Sequence, residues 1–200
     1  MDEIKKAYGS ETNPVEHILG TAVSPGDPDR QVIEPWAATV SGPILDVGSG
    51  TGRWTGHLVS RGHEVTGLEP VERLIQIARE TYPAVQFRQA SVADLEQTRT
   101  QWAGILAWYS IIHMGPAELP TALDTLRTAL TPNGTLLMSF FAGPEQQSFA
   151  HPVAMAYRWP MDDMVRLLSE AGLDVTTQHW DCHTPHAYVI ARPTNRTASG

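Results

Sequence analysis

The fold is decided by the stretch Ile44-Leu45-Asp46-Val47-Gly48-Ser49-Gly50-Thr51-Gly52-Arg53. Its first four residues, mostly apolar, predict a buried strand, and the glycines that follow let the backbone turn tightly into a helix. Free N–H groups at the start of such a helix favour negative charge on a ligand. The glycines are spaced G-x-G-x-G, and position 53, where the dinucleotide fingerprint has its third glycine, holds Arg53. A tight strand–helix turn that binds no ligand is the alternative that this motif alone leaves open.

Strands and helices alternate on both sides of this stretch. A helix is predicted from about Arg30 to Thr39, with Asp29 as its cap, and another between Pro160 and Gly172. Residues 142–158 read as irregular. Strands are predicted at 44–47, 64–68, 85–90, 105–109, 135–141, 174–180 and 187–192. We therefore predict an α/β fold: a Rossmann-like, seven-stranded, mostly parallel sheet with helices on both faces and an antiparallel C-terminal hairpin strand.

Composition narrows the class of function. The chain has 200 residues, 42% of them hydrophobic, and a net charge of -8, which suits one globular domain with a full core. Its arginines are scattered singly, so no basic stripe for nucleic acid is present. No apolar run approaches the ~20 residues of a membrane span, and the N-terminus lacks the apolar stretch of a signal peptide. We expect a soluble, cytoplasmic protein whose partner is a small molecule rather than nucleic acid or a membrane.

An acidic residue ends the second predicted strand. Glu69 stands in Leu68-Glu69-Pro70, and in a parallel sheet this strand tip lies beside the glycine-rich turn. An acid at this place can accept hydrogen bonds from both hydroxyls of a ribose. The alternative is a solvated acid that caps the following helix.

Four stretches together resemble the class I S-adenosyl-L-methionine (SAM)-dependent methyltransferases, most closely the small type 11 group. The resemblance runs from about Gly42 to Gly143, and the four stretches are 44–52, 65–70, 108–113 and 130–137. It implies one domain over 1–200, with an N-terminal helical or lid segment, a SAM-binding core, an acceptor-side segment, and a C-terminal helix and hairpin. The bounds of these parts are 1–41, 42–143, 144–160 and 161–192.

The resemblance also implies a set of cofactor-binding residues. Asp46 and the glycine-rich backbone should line the methionine part of SAM, Glu69 its ribose, and Pro70 and Val71 its adenine. Where many relatives place an Asp that accepts the adenine amino group, this chain has Ser91, followed by Val92, and Asp94 stands three residues further on. Arg53 is a candidate for the methionine carboxylate or a solvated helix residue. The whole set is Asp46, Gly48, Ser49, Gly50, Thr51, Gly52, Arg53, Glu69, Pro70, Val71, Ser91, Val92, Trp108, Tyr109 and Ser110.

Methyl transfer from SAM is a direct displacement, so the protein mainly aligns the reacting atoms. A general base is needed only where the acceptor must lose a proton, and His113, just past the fourth strand, is the candidate. The alternative for His113 is a hydrogen bond to a helix end or a backbone carbonyl. Candidates for binding a partly apolar acceptor with an acid or phosphate group come from the segments outside the core, where plain packing is the alternative: Tyr8, His151, Tyr157, Arg158 and Trp159.

Two other functions stay open at the level of sequence. One is an NAD(P)-dependent oxidoreductase, which the missing third glycine disfavours, and the other is a SAM-binding protein without catalysis. A dense cluster at the C-terminal hairpin raises the question of a metal, but neighbouring strand residues alternate faces, so we predict no metal site. The cluster consists of His179, Asp181, Cys182, His183 and His186.

Overall fold

Helices and parallel strands alternate along the chain in a computed structural model, which describes residues 6, 8, 20–98 and 100–194. The predicted order is confirmed, with the boundaries shifted by a few residues. The elements are α1 (Arg30–Thr39), β1 (Ile44–Val47), α2 (Arg53–Ser60), β2 (Val65–Leu68), α3 (Glu72–Thr81), β3 (Gln86–Arg88), a 3-10 helix (Val92–Gln97), β4 (Trp102–Ala107), α4 (Leu119–Ala129), β5 (Leu130–Ala142), β6 (Gln147–Ala150), β7 (Met155–Trp159), α5 (Met161–Glu170), β8 (Leu173–Trp180) and β9 (His186–Pro193).

The strands form one mixed sheet, which confirms the predicted α/β class. The order β3-β2-β1-β4-β5 is parallel throughout, and β9 joins β5 antiparallel and forms a hairpin with β8. All four residues of β1 and of β2 are buried, as expected for central strands covered by helices on both faces. Two core clusters lie on the two faces, the larger around α4 and α5 and the smaller around α1 and α2.

The sheet of the described residues has nine strands, two more than the sequence predicted. The extra pair, β6 and β7, is an antiparallel hairpin inside the stretch 142–158 that was predicted to be irregular. Its sequence offers Pro152 and mixed polar and aromatic residues instead of a clean alternation, so periodicity alone does not reveal it.

This hairpin is placed where a ligand would bind. β4 pairs with β5 up to Met138, and β9 occupies the opposite edge of β5 as far as Phe141. β7 pairs with Phe141 and Ala142, and it therefore lies beyond the carboxyl end of β4. In open α/β sheets this end of the strands is where ligands bind.

The start of α1 differs from the prediction in one respect. Asp29 is the N-cap residue by position, but its side chain makes no capping hydrogen bond. Its Oδ2 accepts a hydrogen bond from Trp108 Nε1 at 2.8 Å instead. The prediction of a side-chain cap is wrong because an indole N–H from the neighbouring strand end competes for the same carboxylate. None of the helices in the described ranges is long and apolar enough to cross a membrane.

One buried hydrogen bond joins α1 to the central sheet. Trp36 Nε1 donates to Thr135 Oγ1 at 2.9 Å, and both side chains are buried. We expect Thr135→Val to lower the free energy of unfolding by about 1–3 kcal/mol, because the indole N–H then lies in the core without an acceptor. Urea denaturation checks this, with the exposed Thr128→Val as the matched control. Equal stability of the two variants would contradict a structural role for this bond.

Candidate functional site

The glycine-rich turn is tied to the end of β2. Gly48, Gly50 and Gly52 have φ angles of 68°, 57° and 80°, in the left-handed region that favours glycine. The N–H groups of Gly48 and Ser49 both donate to the carbonyl of Leu68, at 2.7 and 3.0 Å. A Cβ at Gly48 would lie 2.3 Å from the Cβ of Ser110, so the turn packs directly on the segment after β4.

Glu69 is held by the same turn. Its Oε2 accepts a hydrogen bond from the Gly50 N–H at 2.9 Å, and its Oε1 accepts one from the Val71 N–H at 2.8 Å. Only 4% of the residue is exposed, so the alternative of a solvated acid does not hold. Burial raises the pKa of Glu69 to about 7, against the lowering effect of the two backbone N–H donors.

A second carboxylate lies below the turn. Asp46, in β1, is buried and accepts a hydrogen bond from Thr55 Oγ1 at 2.6 Å. Burial raises its pKa to about 6, since the hydroxyl of Thr55 compensates only part of the lost hydration. The site therefore places two carboxylates of raised pKa close to backbone N–H groups.

A cavity of about 200 Å³ opens above these groups. It brings together every residue of the predicted cofactor-binding set except Gly52, which packs against Phe87 and Ala78. Tyr8 and His113 also line it. The sequence reasoning missed several lining residues, which are apolar or aromatic and carry no motif: Val47, Trp54, Leu68, Leu74, Ala90 and Met114.

Three buried polar atoms on lining residues have no hydrogen-bond partner among the described residues. They are Ser49 Oγ, Trp54 Nε1 and Ser110 Oγ. Buried polar groups are normally paired, so an unpaired set around one cavity indicates a polar ligand.

The wall around Ser91 is organised by a capping box. Ser91 Oγ and the Ser91 N–H both donate to Asp94 Oδ2, each at 2.7 Å, at the start of the 3-10 helix. The acid that follows three residues later is therefore folded back onto Ser91. The hydroxyl oxygen of Ser91 accepts the backbone N–H of Asp94 in this capping box and keeps one lone pair for a donor such as an amino group.

Arg53 lies in ion pairs at the rim of the cavity. Its guanidinium bonds Asp27 Oδ2 at 2.8 Å and lies 3.6 Å from Asp29 Oδ2. These acids belong to the loop before α1, which also accepts a hydrogen bond from Thr51 Oγ1 at the Gly20 carbonyl. The arginine thus anchors this loop over the glycine-rich turn, and its positive charge is already matched by carboxylates.

His113 is buried between a phenol and a carbonyl. Its Nδ1 lies 2.8 Å from the carbonyl oxygen of Met155, which can only accept, so Nδ1 carries the hydrogen. Its Nε2 lies 2.9 Å from the hydroxyl of Tyr8 and is left with a lone pair that accepts from it. Burial lowers the pKa of His113 and raises that of Tyr8 to about 12. The pair is therefore neutral at pH 7.

Tyr109 has a φ of 52°, the only positive φ of a non-glycine residue in the described ranges. Such a conformation costs about 1–2 kcal/mol. Two hydrogen bonds hold it: its N–H donates to Ser139 Oγ at 2.7 Å, and its hydroxyl bonds His186 Nδ1 at 2.8 Å. The Tyr109 ring lies against Phe141, with centroids 5.4 Å apart and ring planes inclined by 34°. No sequence pattern signals this conformation.

The predicted acceptor-binding residues lie on two opposite faces of the sheet around β7. Tyr8 and His151 both contact the ring of His113, at centroid distances of 5.6 and 5.4 Å. Arg158 lies on the same face of β7 as Phe141 of β5. Trp159 is buried in the main core, and Tyr157 packs against that core from the same face. The structure therefore does not bring Tyr157 and Trp159 to the other three.

The C-terminal hairpin turn places Asp181, Cys182 and His183 together, with ligand atoms within 4.8 Å of one another. All three are exposed, and the Asp181 carboxylate already accepts the His183 N–H at 3.0 Å. The turn is explained by this local bond, which is typical of Asp at such positions.

Comparison with known proteins agrees with this geometry. Residues 44–134 match the family described as "Methyltransferase domain". An uncharacterized methyltransferase of Staphylococcus carnosus is 29% identical over 109 residues, 54% of this chain and 51% of that protein. The chain thus spans about half the length of the curated relatives it matches.

Two solved structures share the fold over nearly the whole chain. One is the Burkholderia thailandensis 1,6-didemethyltoxoflavin-N1-methyltransferase with bound 1,6-didemethyltoxoflavin and S-adenosylhomocysteine, with TM-score 0.75 and 19% identity over 97% of this chain and 88% of that one. The other is the CcbJ methyltransferase of Streptomyces caelestis, with TM-score 0.76 and 17% identity over 95% of this chain and 99% of that one.

The raised pKa of Glu69 predicts how stability varies with pH. The folded protein holds this proton up to about pH 7, whereas an unfolded Glu loses it near 4.5, so the contribution of Glu69 to stability falls as pH rises between these values. The full loss is on the order of 3 kcal/mol, from about 1.4 kcal/mol per pH unit. We expect Glu69→Gln to flatten the decline in unfolding free energy between pH 5 and 8. Exposed Glu80→Gln is the control, and an unchanged slope in Glu69→Gln would contradict the assignment.

Proposed function

We propose that the protein is a SAM-dependent methyltransferase that transfers a methyl group to a small-molecule acceptor, because residues 44–134 match the family described as "Methyltransferase domain" and the fold is shared with solved methyltransferases. The observation that carries this proposal is the Glu69 carboxylate, which is fixed at the tip of β2 beside the glycine-rich turn and faces the cavity. An acid in this position is suited to the two hydroxyls of a ribose.

The residues around the cavity fit SAM. Each Glu69 oxygen uses one lone pair on a backbone N–H and keeps another for a ribose hydroxyl. Asp46 and the unpaired hydroxyls of Ser49 and Ser110 lie on the turn side, where they suit the polar methionine end. The apolar wall suits the adenine ring and includes Val71, Leu74, Ala90 and Val92.

When bound, SAM supplies a methyl group on a sulfonium, and the carbon–sulfur bond breaks with its electron pair left on sulfur. An acceptor oxygen or nitrogen forms the new bond to the methyl carbon with its own lone pair. Trp108, Tyr109 and Ser110 line the cavity between the turn and His113, so this segment would lie along the sulfonium side of SAM, next to the acceptor. Alignment of the two reactants supplies several kcal/mol of the barrier reduction.

An acceptor that loses a proton on methylation needs a general base. Tyr8 lines the cavity and its hydroxyl donates to Nε2 of His113, while the Nδ1–H of His113 donates to Met155. The acceptor proton would pass to the Tyr8 oxygen as the Tyr8 proton passes to Nε2. Because burial lowers the pKa of His113, the imidazole stays neutral and able to accept this proton below pH 6.5.

The cofactor is tested by thermal shift with SAM, S-adenosylhomocysteine, NAD and NADP in parallel. We expect the melting temperature to rise with the first two alone, because a ligand of the native state stabilises it by mass action. Glu69→Ala should weaken SAM binding in calorimetry by about 1–3 kcal/mol, since the ribose hydroxyls lose their hydrogen-bond partner. The exposed Glu72→Ala is the control. A shift with a nicotinamide alone, or unchanged SAM affinity in Glu69→Ala, would overturn the assignment.

The proton path is tested with the first acceptor that yields S-adenosylhomocysteine in a panel of small phenols, amines and carboxylic acids. We expect His113→Gln and Tyr8→Phe to lower kcat by about 10²–10⁴-fold, the usual contribution of general acid–base catalysis. SAM affinity should change little in both. At saturating SAM, the acidic limb of the kcat profile should lie below pH 6.5, since burial lowers the pKa of His113. Equal losses of kcat and SAM affinity would indicate cofactor contact instead.

A further inference from the structure

Beyond the cofactor cavity lies a continuous surface of aromatic rings. Phe141, at the carboxyl end of β5, is its centre, with Tyr109 and Phe149 at centroid distances of 5.4 and 5.3 Å. His151 and His186 flank the same ring at 5.9 and 5.8 Å. We call these five residues the ring surface.

The ring surface continues from the cavity. Tyr109 lines the cavity directly, and His151 packs at 5.4 Å against His113, which also lines it. A ligand whose reacting atom lies near Tyr8 and His113 would therefore extend its other end over Phe141 and Phe149. Flat aromatic rings pack favourably on such a surface.

Arg158 lies beside the ring surface. It pairs in register with Phe141, and its guanidinium carbon lies 4.7 Å from the centre of the Phe149 ring. Its Nε is buried and has no hydrogen-bond partner among the described residues. Buried guanidinium donors are normally paired, so this group is suited to an anionic ligand.

Three other arginines of the described residues are paired with acids, whereas others, such as Arg88 and Arg127, have no ion pair there. Arg30 bonds Glu34, Arg53 bonds Asp27, and the exposed Arg166 bonds both Asp163 and Glu170. Arg158 has no ion pair within the described ranges, in a chain of net charge -8. Burial lowers the pKa of His113 and of His151, so these imidazoles are neutral at pH 7. Arg158 is then a permanent positive charge in contact with the Phe149 ring of this surface.

We infer that the methyl acceptor is an elongated aromatic molecule with an acidic group at the end remote from the methylated atom, and that Arg158 binds this acid. The inference rests on the proposed methyl transfer. Phe141 contacts Tyr109 on one side and Phe149 on the other, and Phe149 contacts Arg158, so an aromatic acceptor that extends from Tyr109 over these rings brings its acid to the guanidinium. A carboxylate or phosphate would take the guanidinium donors that the protein leaves unpaired.

The test compares a matched acid and amide. The probes are 6-hydroxy-2-naphthoate and 6-hydroxy-2-naphthamide, which share size and rings and differ in charge, titrated by calorimetry in saturating S-adenosylhomocysteine. We expect the acid to bind wild-type protein at least tenfold more tightly than the amide. Arg158→Gln should abolish this preference and Arg158→Lys should keep part of it, with S-adenosylhomocysteine affinity unchanged in both. Arg166→Gln, on the exposed face of α5, should behave as wild type.

Each outcome decides the inference. Equal binding of acid and amide to wild-type protein, or no binding of either, would overturn it. Equal weakening of both probes in Arg158→Gln would also overturn it, because a guanidinium that only packs on Phe149 affects both alike. Failure of the proposed function is distinguishable, since wild-type protein would then either not bind S-adenosylhomocysteine or bind it and transfer no methyl group from SAM to any acceptor of the panel. Melting temperatures of the Arg158 variants exclude misfolding as the cause of a loss.

Discussion

The whole site depends on the Glu69 carboxylate, each oxygen of which accepts a hydrogen bond from a backbone N–H. Glu69 accepts the N–H groups of Gly50 and Val71, and so joins the glycine-rich turn, the end of β2 and the start of α3. Its burial costs free energy, visible in the raised pKa, and the two backbone donors offset part of that cost. The turn can hold its left-handed glycines beside the cavity because this acid and the Leu68 carbonyl take its N–H groups.

Different elements of the fold line or flank the site around Glu69. The parallel strands β1, β2 and β4 carry residues that line the cavity at their carboxyl ends, as is usual for this class of fold. The loop before α1 closes one side through Arg53, Asp27 and Asp29. The β6–β7 hairpin closes the other, beyond the end of β4, and supplies the Met155 carbonyl that sets the tautomer of His113.

Several residues were predictable because their role follows from local chain geometry. The glycines of 48–52 and Glu69 stand at strand ends, and strand ends meet at one edge of a parallel sheet whatever the rest of the chain does. The lining of the cavity by Trp108, Tyr109 and Ser110 follows for the same reason. Arg158 was a candidate only because it is the arginine among the aromatic residues of its segment. Which of Tyr157, Arg158 and Trp159 face the ring surface and which face the core became clear only from the register of β7.

The alternation of apolar and turn residues along the sequence thus determines the α/β class, the order of helices and strands along the chain, and the place of the glycine-rich turn, because these depend on interactions within a few residues. The tertiary structure decides the rest: the β6–β7 hairpin, the Tyr8–His113 pair, the positive φ of Tyr109 and the unpaired Arg158. Each of these depends on which distant side chains and strand edges meet in space. Periodicity and local motifs do not predict contacts between residues that are distant in sequence, so these contacts are seen only in the folded chain.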